Sequence, residues 1–162
     1  MGVTIGSPIK DVYIIKDDSG NMVDHTGDLI ETTLKSYTVP GGILGINGAI
    51  KFYACGSSFG NGGNKIYKLK FGATIIYTLT VNPAVPNVNW VMKSKCYNLG
   101  AENSQNWSIF GIDELTIDYT WARFASAENT SIDKILSVTG QLANAGDRCR
   151  IGDWTIEIRP AG

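Results

Sequence analysis

Histidine is almost absent from this sequence: His25 is the single one in 162 residues. Metal sites draw on clustered His, Cys or carboxylate ligands, and a Ser-His-Asp or Cys-His arrangement would have to use that one imidazole. His25 lies in a polar stretch beside Asp24 and reads as a solvated loop residue, and no serine sits in a nucleophile-elbow motif. Cysteine is scarce as well. Cys55, Cys96 and Cys149 are odd in number and far apart, without a Cys-x-x-Cys pair, which excludes a disulfide framework and a zinc cluster. They read as small hydrophobes of a reducing cytoplasm. No run of about 18 apolar residues exists, so no membrane insertion is expected. Residues 1–10 lack a charged segment leading into an apolar one, so no export signal is expected. A dominant charge is missing too: 14 basic and 15 acidic side chains leave a formal charge of −1. That balance argues against partners held by bulk electrostatics, such as nucleic acid or an anionic membrane.

Helical periodicity is the last absence. No stretch sustains a spacing of three to four over the dozen residues a stable helix wants, and residues 125–133 have room for one short turn. What the chain has instead is period two, with 19 glycines to punctuate it and few prolines. Leu115, Ile117, Tyr119 and Trp121 share a face across residues 114–121, opposite Thr116, Asp118 and Thr120. Trp154, Ile156 and Ile158 alternate with Thr155, Glu157 and Arg159 until Pro160 stops the ladder. Ile50, Phe52 and Ala54 oppose Lys51, and Tyr67, Leu69 and Phe71 oppose Lys68 and Lys70. Ile75, Tyr77, Leu79 and Val81 alternate with threonines, while Val88, Trp90 and Met92 alternate with Asn89, Val91 and Lys93. Gly72-Ala73 between two of these runs has the chemistry of a type II′ hairpin turn. Residues 105–112 and 132–142 supply further strands, and residues 61–64 and 144–147 are loops.

Eight or more short strands without helical crossovers must pair mainly antiparallel. The expected fold is all-β: an antiparallel two-sheet β-sandwich of jelly-roll type, with a short N-terminal arm. Residues 1–30 form the arm or a hairpin, and residues 31–162 form the sandwich. At 162 residues and 43% hydrophobic, one domain with a substantial core is expected.

Chemistry is harder to find. Glu102, Asp113, Glu114 and Glu128 could be paired for glycoside hydrolysis, yet fifteen acids in any chain produce such pairs by chance. Residues 56–63 are glycine-rich but lack the closing lysine and following helix of a phosphate loop. Trp90, Trp121 and Trp154 fall on apolar faces and read as core. Trp107 sits after Asn103-Ser104-Gln105-Asn106 and is the candidate ligand contact, an exposed aromatic in a polar setting. Tyr53, Ile76, Val91 and Tyr97 fall on the faces opposite the expected core, which makes them candidates for an oligomer interface. No catalytic residue, metal ligand or cofactor is expected, and the chain does not read as an enzyme.

Four pieces in order carry a resemblance. Residues 31–40 (ETTLKSYTVP) are followed by 44–50 (LGINGAI), then 62–74 (GGNKIYKLKFGAT), and near the end 138–147 (VTGQLANAGD). Together, over about residues 29–160, they resemble a jelly-roll domain of tailed-bacteriophage virion proteins, found in tail-fibre, head-fibre and other capsid-associated components. The resemblance implies a non-enzymatic structural protein of the virion, assembled in the host cytoplasm. It also implies a homotrimer that contacts other virion proteins and meets host-surface glycan through its loops. A stand-alone jelly-roll carbohydrate-binding module, lectin-like and monomeric, is the alternative.

Overall fold

Alternation governs most strands among the described residues. The computed structural model describes residues 13–18, 20–60, 62–82, 86–114 and 120–161. Within them lie β1 (Tyr13–Asp17), β2 (Val23–Thr26), β3 (Thr32–Val39), β4 (Ala49–Phe59), β5 (Lys65–Phe71) and β6 (Thr74–Val81). They are followed by β7 (Asn87–Asn98), β8 (Gln105–Asp113), β9 (Thr120–Ser126), β10 (Lys134–Leu142) and β11 (Arg148–Arg159). β5 and β8 alternate buried and half-buried residues along their whole length, as strands covered on one face should.

The strands form two antiparallel sheets, so the molecule is an all-β sandwich. The larger has seven strands in the order β1-β11-β4-β7-β8-β9, with β2 pairing a second stretch of β11. The smaller runs β3-β10-β5-β6. The Thr-rich β3 is an edge strand, as its composition suggests. One continuous core fills the space between the sheets. Its centre is aromatic: Tyr67 and Phe71 of β5 meet Trp90 and Trp107 of the larger sheet at centroid distances of 4.4 and 5.4 Å. Phe52 meets Trp154 edge-on at 5.2 Å. Gly56 makes room for this packing. A Cβ there would stand 2.7 Å from the Trp90 ring and 2.0 Å from the Arg150 carbonyl oxygen.

The β5–β6 turn forms as expected. Phe71 pairs with Thr74, and Gly72 alone takes a positive φ of 58°, as the first central residue of a II′ turn requires. β6 departs from the simple alternation. Leu69 pairs with Tyr77 and Lys70 with Ile75, so Ile76 is an extra residue in a bulge. The bulge reverses the parity: Ile76 is buried at 4% exposure and Ile75 is 45% exposed. Ile76 is therefore a core residue and not part of an outer face. A second bulge between Ile151 and Trp154 of β11 lets both point inward despite their odd spacing.

Residues 125–133 hold no helix. β9 runs to Ser126, and a turn at residues 130–131 leads towards β10. The alternation expected over residues 114–121 falls mostly where the described residues pause, between Glu114 and Thr120. Leu115, Ile117 and Tyr119, together with the side chain of Trp121, lie outside the described residues.

Candidate binding face

Sending Phe52, Ala54, Met92, Cys96 and Ile109 inward forces their neighbours outward, and register then decides which outward side chains meet. One row crosses the sheet as Glu157, Lys51, Lys95 and Ser108; the next as Thr155, Tyr53, Lys93 and Phe110. A third places Ala49 beside Tyr97 and Asn106. Tyr53, Lys93, Lys95, Tyr97 and Phe110 therefore line one open groove of about 680 Å³, with Lys51 and Glu157 at its side.

Electrostatically the groove is unlike the chain as a whole. Lys51 pairs with Glu157 at 2.9 Å. The Lys93 ammonium lies 5.5 Å from the centre of the Tyr53 ring, and that of Lys95 lies 4.6 Å from Tyr97, both within cation–π range. The Tyr53 phenol titrates above its ordinary value, through its hydrogen bond with Cys55, its burial and the nearby Asp153 carboxylate. It stays neutral at physiological pH, a polar-tipped ring beside cationic neighbours.

The expected site residues divide. Tyr53 and Tyr97 lie in the groove, and Val91 is half-buried on the same face, paired with Cys55 and Ile112. Ile76 is inside the core, as described. Trp107 is also inside, with 0% exposure, stacked edge-on against Phe71 and donating its Nε1 hydrogen to Ser126 Oγ at 2.9 Å. It cannot be a surface ligand contact. The polar residues before it mislead, because Gln105 is itself buried and binds the Glu102 and Glu128 carbonyls. The parity of Gln105, Trp107 and Ile109 was the signal that places Trp107 inward.

Other polar residues serve the scaffold. His25 is on β2, not in a solvated loop; it is buried beside Cys149 with Nε2 3.6 Å from Asp28. Glu128 clasps the β5–β6 turn. It accepts hydrogen bonds from the Ala73 amide, Thr74 Oγ1 and Lys134 Nζ. Burial pushes its carboxyl up, but Thr74 and Lys134 outweigh that and hold it below the ordinary value. Glu114 caps Asn89 through that residue's amide and side chain, and Asp113 is buried. A buried ion pair went unforeseen: Lys65 Nζ lies 2.9 Å from Asp147 Oδ2, with the two side chains 1% and 5% exposed. Burial raises the Asp147 carboxyl, yet Lys65 and the Gly62 amide outweigh it and the group stays ionised. One partner opens β5 and the other lies in the loop before β11, a pairing neither segment announces in sequence.

No family model matches this chain, and no curated protein matches it in sequence. Among solved structures it is similar to a chain in the structure of infectious bursal disease virus Gx strain. The identity is 11% over 96% of this chain and 43% of that one, with a TM-score of 0.25. The chain thus spans less than half the length of the one it matches, and a likeness of that size carries nothing further about role.

Proposed function

We propose that this protein is a non-enzymatic structural component of a bacteriophage particle, a fibre or decoration protein built as a homotrimer of jelly rolls. The observation that carries this reading is the pairing pattern. Set aside β1 and the β8–β9 hairpin, and eight strands remain. The first pairs with the last (β2 with β11), the second with the next to last (β3 with β10), then β4 with β7 and β5 with β6. β11 also pairs with β4, and β10 with β5. We read this pattern as one long hairpin rolled into two sheets, which supports a jelly roll with an inserted hairpin. Seven of the eight strands, all but β2, fall within residues 29–160, the stretch that resembles phage virion jelly rolls.

Two further observations support a role in assembly. The candidate carboxylates Glu114 and Glu128 are engaged in holding backbone and turns, which suits a scaffold better than general acid–base work. Loops at one end are stapled by Asn98, Gln105 and Thr130, whose side chains reach Gly45, Glu102 and Glu128. Ile46, Leu99 and Ile132, borne on these loops, are more than half exposed. Large aliphatic side chains held out on a rigid end suit contact with another protein.

Light scattering after size-exclusion tests the reading. A solution mass of three chains at micromolar protein is expected, and particles should label with an antibody to this protein. A clean monomer that binds sugar would instead favour the lectin-like module, which the groove makes the second reading.

A further inference from the structure

We propose that the groove on the outer face of the seven-stranded sheet binds an acidic polysaccharide, its sugar rings stacked on Tyr53, Tyr97 and Phe110 and its carboxylates met by Lys93 and Lys95. The inference deepens the reading above: it rests on the fibre role proposed there and names the chemistry of a surface that such a fibre would contact.

Charge complementarity is the main argument. In a chain with a formal charge of −1, the groove gathers three lysines against one glutamate. Lys51 is answered by Glu157, whereas Lys93 and Lys95 form no ion pair among the described residues and rest over tyrosine rings. A second copy of the chain seated here would bury those two ammonium groups, which costs several kcal/mol per uncompensated ion. A ligand carrying its own carboxylates turns the same lysines into attraction. The apolar half of the site supplies the other requirement, because flat rings with polar tips present stacking surface to the faces of sugar rings. A volume of about 680 Å³ falls in the range of small-ligand sites, with room for a short oligosaccharide. Single-stranded nucleic acid also stacks on aromatic residues, but it calls for a basic stripe along its backbone. Here the basic residues are three, and one of them, Lys51, is already paired with Glu157.

The test is titration calorimetry of the full chain with trigalacturonate and a sialylated trisaccharide, with maltotriose and oligo-dT as comparators. At least one acidic sugar should bind in the micromolar-to-millimolar range and weaken as salt is raised, while maltotriose binds at least tenfold more weakly. Lys93→Gln/Lys95→Gln should lower affinity tenfold or more, and Tyr97→Ala should remove binding, with unfolding midpoints near wild type. Absence of binding by both acidic sugars to millimolar concentration overturns the proposal, as does binding that the lysine pair does not alter or tighter binding of oligo-dT. Light scattering on the same samples separates this from the assembly reading. A trimer that ignores both sugars sinks the groove alone, and a monomer that binds supports the groove while removing the trimer.

Discussion

On β7, Trp90, Met92 and Cys96 point into the core, while Val91, Lys93, Lys95 and Tyr97 stand between them on the outside. The inner set is locked by stacked rings and by the strands of a second sheet. The outer set is arranged by register with the neighbouring strands and by the contact of Lys95 with Tyr97 along the same strand. A strand can thus devote one face to holding its position and leave the other for chemistry. The two lysine environments sharpen the contrast. Lys65 is inside and neutralised by Asp147, whereas Lys93 and Lys95 are outside and lean on rings.

The largest effects are expected on the inner face. Trp107→Ala removes a ring from the middle of the core and should cost about 3–5 kcal/mol, read as a lowered denaturation midpoint. An effect below about 1 kcal/mol would return Trp107 to the surface. Lys65→Met comes next, at about 3 kcal/mol, because it strands the buried Asp147 carboxylate. Lys93→Gln, the same residue type outside, should stay within about 0.5 kcal/mol. If the two lysine changes cost alike, the contrast between the faces fails.

A smaller, pH-dependent effect is expected at Glu31. Burial raises this carboxyl, but Lys68, Lys70 and Thr139 hold it down, to about 2 from 4.5. A carboxyl whose folded pKa is depressed contributes stability above its unfolded value, and that contribution is lost as pH falls through the folded one. Wild type should therefore lose this share of stability between about pH 4.5 and 2. Glu31→Gln should be less stable than wild type at pH 7 and match it near pH 2, in paired urea titrations. A difference independent of pH would remove the argument. Among the smallest effects is Tyr53→Ala, which should change stability by less than about 0.5 kcal/mol while losing the acidic sugar.

How far these faces were legible differs by feature. Strands β5, β7 and β8 were readable because each buries every second side chain, β4 and β11 because part of each does, and the β5–β6 turn because Gly72 must take a positive φ. The bulge at Ile76 was not, since an extra residue in one strand shows only against its partner. Tyr53 and Tyr97 could be assigned outward by parity. Their convergence with Lys93 and Phe110 depends on how β4, β7 and β8 align, which no single strand encodes. The Lys65–Asp147 pair was hidden for the same reason, joining the start of β5 to the loop before β11.

The position of the last two strands has a consequence in time. β10 lies between β3 and β5, and β11 between the N-terminal strands and β4, so each sheet's interior is completed by the C-terminal part of the chain. The smaller sheet cannot close until about residue 142 has been synthesised, nor the larger until about residue 159, and the earlier strands wait with unsatisfied edges. Such distant pairings are slow to form, and waiting edges invite wrong partners. Vectorial synthesis therefore gives this sandwich no early folded core, and its yield in the cell depends on how its nascent edges are kept apart.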